Sequence, residues 1–133
     1  MEFGNHRIRV LVAEDNRDLA AAICALIAAE PDMQVDGTVD SAGHLLDVAA
    51  KQGAHVLVLD LDLGGESSVP AMIQLRRSHP GMAIVVYSGC DHCDLGAVLA
   101  QMDGCHYVAK TGDPDELLGA IRRAAKSAAV PGS

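Results

Sequence analysis

The chain has 133 residues, half of them apolar, with only Phe3, Tyr87 and Tyr107 as aromatics and a formal charge of -8 from 18 acidic against 10 basic side chains. That length suits one domain with one core and no need of disulfide or metal support; the acidic balance and scarcity of rings exclude direct nucleic-acid binding, which needs clustered cations or stacking platforms. No apolar leader follows the polar first seven residues and no apolar run nears the roughly eighteen that a membrane span requires, so we expect a cytoplasmic, reduced protein with no membrane partner, in which Cys24, Cys90, Cys93 and Cys105 stay thiols.

In chain order, residues 1–6 read as a loose lead-in. Ile8 to Ala13 is a short apolar strand that ends in the acidic pair Glu14 and Asp15, whose mutual repulsion asks for a positive partner. Asn16 or Asp18 caps the next helix, where Leu19, Ile23, Leu26 and Ile27 recur at helical spacing until Glu30-Pro31. Gln34 to Val39 is a more polar strand, suited to an edge. Ser41 opens a helix through Lys51 with Leu45, Val48 and Ala49 inward and Gly53 just past its end. The run from Val56 to Leu59 is apolar throughout, as in a strand buried on both faces, and Asp60 stands at its tip.

Glu66 to Ser68 read as a polar loop, and Pro70 suits the first turn of a helix that buries Val69, Met72, Ile73 and Leu75 before His79-Pro80-Gly81 ends it. Met82 to Tyr87 is a further strand, delivering Ser88 and Gly89. Asp91 to Met102 places Leu95, Val98, Leu99 and Met102 on one helical face, weakened by Gly96. Cys105 to Ala109 is the fifth strand and ends in Lys110. Asp113, Pro114 and Glu116 start a last helix with Leu117, Leu118, Ile121 and Ala125 on one side. Arg122, Arg123 and Lys126 suit the negative end of its dipole and read as a solvated face. Ser127 to Ser133 form a loose tail.

Five strands alternating with five helices imply an α/β fold: a parallel sheet wound on both faces by right-handed crossovers. The order 2-1-3-4-5 brings the tips of the first and third strands together. The expected unit is a single domain over 1–133, its core about 8–126. Ligands of such sheets bind beyond the carboxyl ends of the strands, and there this sequence sets Glu14, Asp15, Asp60, Ser88 and Lys110. Three carboxylates around one point need a counter-charge, and a hard divalent cation, typically Mg²⁺, is the natural one. Lys110 supplies a second positive charge and Ser88 a hydroxyl. These are the parts that place a carboxylate nucleophile in line with a phosphoryl group and neutralise its oxygens.

With the acidic pair Glu14-Asp15, the strand V-L-V-L-D60, V-V-Y-S88-G and Y107-V-A-K110 in this order, the sequence resembles the receiver domain of two-component response regulators, with its flavodoxin-like fold. The resemblance covers Ile8 to about Lys126. It implies that Asp60 accepts a phosphoryl group from a sensor histidine kinase or a histidine phosphotransfer protein. It also implies Mg²⁺ held by Asp15, Asp60, the backbone carbonyl of Asp62 and, through water, Glu14. Ser88 and Lys110 would bind the phosphoryl oxygens, Ser88 and Tyr107 would form the switch, and the surface around the fourth and fifth helices would change. The implied output is a downstream protein or a separate output domain; a homodimer is compatible with the family. Such a chain is a signalling module with at most slow loss of its own phosphoryl group, not a turnover enzyme. Gly64 stands where the family commonly has proline, and Thr111 follows Lys110 in place of another frequent proline. Neither departure removes a reacting group.

Two other chemistries compete. Asp60-Leu61-Asp62 resembles the D-x-D motif of haloacid-dehalogenase phosphatases, but there the acidic pair comes last in the chain and here it comes first. Cys90-Asp91-His92-Cys93 has the spacing of a redox pair or half a zinc site, which Cys105 and His106 would have to complete. Without a second C-x-x-C the inert reading is the expected one.

Overall fold

The computed structural model describes residues 7–89, 93–99, 101–110 and 112–129. In chain order these form β1 (Ile8–Ala13), α1 (Arg17–Ala28), β2 (Met33–Val39), α2 (Ala42–Gln52), β3 (Val56–Leu59), β4 (Asp62–Leu63), β5 (Glu66–Ser67), α3 (Val69–Ser78), β6 (Ala83–Ser88), α4 (Cys93–Leu99), β7 (Cys105–Ala109) and α5 (Pro114–Ala129). The five long strands make one sheet in the order β2-β1-β3-β6-β7, every pair parallel. This is the expected 2-1-3-4-5 once the two-residue strands are set aside.

Alternation of side chains along each strand divides the core into two layers. Leu11, Leu57, Leu59, Ile84 and Val86 face the side covered by Leu45 and Ala49 of α2, Met72 and Leu75 of α3, and Leu99 of α4. Val10, Val12, Val56, Val58 and Val85 face Ile23 and Ile27 of α1 and Leu117, Ile121 and Ala124 of α5. Because β3 is covered on both sides, all four of its residues are buried, and the polar Asp60 can stand only beyond its end. The Asn16 side chain caps α1 by accepting the Leu19 N–H at 3.0 Å. Gly53 closes α2 in the left-handed conformation (φ 64°) that a side chain would resist.

Five local expectations need correction. Glu66 and Ser67 are not loop but the second strand of an antiparallel hairpin with β4, turned through Gly64 and Gly65 at φ 60° and 83°. Two successive positive φ values suit the right-handed twist of a two-residue hairpin, and glycine reaches them without strain. Ile73 is 37 % exposed, not buried, because α3 presents Met72 and Leu75 to the sheet instead. Along α4, Leu99 is buried while Leu95 and Val98 are 39 % and 64 % exposed, so this helix rests on the sheet edge by its last turn. That helix does not run to Met102: Gln101 and Met102 form turns back to Val98 and Leu99, although Met102 still packs on the core. The last helix, conversely, continues to Ala129.

Arg122 also departs from its solvated reading. Its Nε and one terminal nitrogen each donate to Asp32 at 2.9 Å, and the same terminal nitrogen reaches Glu30 at 2.6 Å, which ties α5 to the turn before β2. The hydrogen bonds from Arg122 hold the Asp32 carboxyl below its usual range. A carboxyl so lowered stabilises the fold above its ordinary pKa and loses that effect as pH falls through the lowered value. Replacement Arg122→Leu should therefore cost about 1 kcal/mol near neutral pH, the screened value for a partly exposed pair. Urea unfolding of both proteins should show this difference shrinking to nothing as the solution is acidified past the Asp32 transition.

Candidate functional site

Four strand ends build one cluster. Backbone hydrogen bonds hold the ends level: Glu14 N–H donates to the Val39 carbonyl at 2.9 Å, Asp60 N–H to Ala13 at 3.0 Å, and Lys110 N–H to Ser88 at 2.8 Å. Glu14, Asp15 and Asp60 each bring a carboxylate oxygen within 4.8 Å of the other two. Two such charges about 4 Å apart repel by about 4 kcal/mol at an effective dielectric of about 20. Lys110 offsets this, since its Nζ donates to Glu14 Oε1 at 2.9 Å and to Asp60 Oδ2 at 2.8 Å. The positive partner that the acidic pair asks for is thus the lysine at the end of β7.

Three of the remaining carboxylate oxygens are held by backbone. Glu14 Oε2 accepts from Asn16 N–H at 3.0 Å, Asp60 Oδ1 from Asp62 N–H at 3.2 Å, and Asp15 Oδ2 from Gly64 N–H at 3.0 Å. Glu14 is only 4 % exposed, and burial raises its carboxyl pKa in spite of the lowering bonds from Asn16 and Lys110. Burial acts on Lys110 in the opposite sense, but its bonds to Asp60 and Glu14 prevail and the ammonium pKa is raised. Three convergent oxygens, one of them on the exposed Asp15, form a donor set suited to a hard divalent cation that keeps part of its water shell. An open groove of about 450 Å³ leads from Glu14 and Asp15 along Arg17, Ala20 and Cys24 of α1 to Thr38 of β2.

Ser88 is fully buried, and its Oγ has no hydrogen-bond partner among the described residues. An unmatched buried hydroxyl costs roughly 1–3 kcal/mol. Tyr107 is half-buried on the side of the sheet that carries α2, α3 and α4. A second ring, Tyr87, lies on the opposite side with Lys110 Nζ 5.9 Å from its centroid, and burial raises its phenol pKa. Sequence reasoning gave no role to Tyr87, nor to Ser68, whose buried hydroxyl donates to the Asp60 carbonyl at 2.6 Å. The alternation of β6 could have pointed to Tyr87. For Ser68 the only signal was a serine before a helix, which ordinarily means a cap.

Asp62 opens the hairpin with its side chain exposed and its carboxylate outside the cluster of three. Cys90 and His92 lie outside the described residues, as does the side chain of Cys93. Of their suggested partners, Cys105 is buried with its thiol pKa raised by burial, and His106 is half-buried with its imidazole pKa lowered, again chiefly by burial.

A family profile described as the response regulator receiver domain matches residues 10–122. The chain is 30 % identical over 115 residues to the response regulator GacA of Pseudomonas viridiflava, covering 86 % of this chain and 54 % of that protein. It is 28 % identical over 124 residues to the nitrate/nitrite response regulator protein NarP of Escherichia coli K12, covering 92 % and 57 %. The chain therefore spans about half the length of the curated relatives it matches. Among solved structures, the response regulator domain of Thermotoga maritima CheB is similar with a TM-score of 0.81, at 20 % identity, over 91 % of this chain and 98 % of that one. That likeness concerns the fold.

The electrostatics of the cluster can be tested without any ligand. Removing the ammonium in Lys110→Met takes away both of its lowering effects on Glu14. In a carboxyl-detected NMR titration of the metal-free chain, the Glu14 midpoint should move further up. A carboxyl with a raised native pKa withdraws stability as pH climbs from its ordinary value through the raised one, so that loss should be larger in the variant.

Proposed function

The chain belongs to the response regulator receiver domain family, and on that premise we propose that it is a phosphoacceptor switch of two-component signalling with Asp60 as the acceptor. The observation that carries this reading is the shared ammonium: Lys110 holds Asp60 Oδ2 at 2.8 Å while the acid cluster stands on its other side. One Asp60 carboxylate oxygen attacks the phosphorus of a phosphohistidine on a kinase or phosphotransfer protein; the P–N bond breaks as the O–P bond forms, and the imidazole, already protonated on its unphosphorylated nitrogen, leaves as the neutral ring. The donor histidine approaches over the groove along α1. Lys110 then moves from pairing the carboxylate to pairing phosphoryl oxygens, and the Ser88 hydroxyl gains the acceptor it lacks.

Mg²⁺ would be held by Asp15, Asp60 and the backbone carbonyl of Asp62, with Glu14 through water, and supplies charge neutralisation for the phosphoryl oxygens when bound. The convergent oxygens and the exposure of Asp15 support that assignment. For the readout we take Ser88 and Tyr107 as the switch: inward movement of Ser88 frees space beside β6, and the half-buried Tyr107 on β7 is the ring to fill it. The surface between α4 and α5 changes in consequence, where Leu95 and Val98 offer exposed apolar area to a partner. We take residues 8–126 as one cytoplasmic receiver unit acting on a downstream protein or an attached output domain, with its slow dephosphorylation the sole turnover.

Incubation with acetyl phosphate and Mg²⁺, followed by intact mass, should add one phosphoryl group, and Asp60→Asn should keep the fold and abolish the gain. Label that persists in this variant at the wild-type rate would move the acceptor elsewhere. In the absence of donor, Asp15→Asn should weaken Mg²⁺ binding about tenfold or more by titration, the scale of losing a charged ligand. An unchanged affinity would displace the metal assignment.

A further inference from the structure

Ser68 stands at the N-cap of α3, where a serine ordinarily accepts a backbone N–H of the first turn. Here its side chain makes no such bond. The hydroxyl instead donates to the carbonyl of Asp60 at 2.6 Å, and Ser68 is fully buried. Its N–H donates to the Leu61 carbonyl at 2.8 Å, and its own carbonyl accepts from Met72 N–H at 2.9 Å inside the helix. Capping of the helix falls to Ser67, whose Oγ accepts from Val69 N–H at 3.2 Å. Ser68 is therefore at once the first residue of the α3 ladder and a clasp on two consecutive peptides at the end of β3.

Between the two sides of this clasp runs the β4–β5 hairpin, which contains two of the three backbone donors to the acid cluster: Asp62 N–H to Asp60 Oδ1 and Gly64 N–H to Asp15 Oδ2, the third being Asn16 N–H to Glu14. Asp60 lies one residue past the end of β3, so its own N–H bond to Ala13 is its last tie to the sheet on that side. Without a second tie the peptide could rock about that bond, and the carboxylate would rock with it. We infer that Ser68 is a positioning residue for phosphoryl transfer, holding the Asp60 peptide so that the carboxylate meets the donor phosphorus in line. This rests on the phosphoacceptor reading above and adds to it a residue that makes no contact with the phosphoryl group. It also makes the start of α3 rigid with the reacting carboxylate.

The test compares wild type with Ser68→Ala and Ser68→Thr, the latter retaining the hydroxyl. With acetyl phosphate and Mg²⁺, the maximal labelling rate of Ser68→Ala should fall about tenfold while the half-saturating donor concentration stays the same, the pattern of lost orientation and not lost binding. Ser68→Thr should keep most of the rate. In the metal-free chain, Ser68→Ala should speed amide exchange at residues 60–62 and leave residues 10–13 of β1 unchanged. The inference is overturned by any of three results: a folded Ser68→Ala chain labelling at the wild-type rate, a rise in half-saturating donor with the maximal rate kept, or loss of the cooperative thermal transition, which would make the hydroxyl structural. Equal slowness of Ser68→Thr and Ser68→Ala overturns it as well. A wild-type chain that takes no label removes the parent reading and this one together, whereas a labelled wild type with an indifferent Ser68 removes this one alone.

Discussion

Both faces of the parallel sheet are covered by helices, which leaves the strand ends as the places where a side chain can be held by a rigid ladder and still be reached from water. Everything at the site follows from that restriction. Val10 to Ala13, Val56 to Leu59 and Ala83 to Val86 are buried at 1 % exposure or less, and a charge anywhere along them would lose its hydration without compensation. The polar groups are displaced by one residue to Glu14, Asp60 and Lys110, with Ser88 ending its own strand. There the backbone bonds between neighbouring strand ends fix their spacing before any side chain interacts. The ammonium shared by Glu14 and Asp60 then settles the charge balance that this crowding creates. Loss of the ammonium would leave the carboxylates uncompensated, whereas loss of one carboxylate relieves their repulsion, so the lysine is the member on which the balance of the set depends.

What the sequence made legible is what one-dimensional pattern encodes. Continuous apolar runs of four to six residues, each stopped by a polar residue and followed by a helical stripe, specify buried parallel strands and their crossovers, so the five-strand order and the residues at the tips could be read directly. Contacts between residues far apart in sequence were less legible. Arg122, midway along α5, looked like a dipole-satisfying surface cation because nothing near it in the chain announces Asp32 and Glu30, ninety or so positions earlier. Ser68 was read as the end of a polar loop, since nothing near it in the chain announces its bond back to the Asp60 carbonyl. Leu95 and Val98 had the periodicity of a buried face, yet periodicity states only that apolar residues share a side, and the fold leaves that side of α4 open.

The hairpin after β3 is where local chemistry and site chemistry meet. The positive φ at both Gly64 and Gly65 makes them a tight connection that reverses the chain within two residues. A proline at position 64, common in the family, would fit neither the φ of 60° nor the bond, since it has no N–H to give. In this chain the glycine N–H goes to Asp15 at 3.0 Å, so the exposed member of the acid cluster is tethered to the loop that follows the central member.

This tether restrains the one acid of the cluster that does not bond Lys110. Asp15 is the least buried of the three acids and the least restrained by charge, for Lys110 bonds only Glu14 and Asp60. A hydrogen bond from a backbone amide limits a carboxylate's rotation, so Asp15 Oδ2 is fixed toward the hairpin. The same hairpin is joined to Asp60 through the Asp62 N–H, and Asp60 to the start of α3 through Ser68, so the acid cluster, the hairpin and the helix start share one set of hydrogen bonds. A loop built on proline could fix the same backbone path only by rigidity; one built on Gly64 fixes it through a bond to the Asp15 side chain itself, which ties loop geometry to the acid cluster.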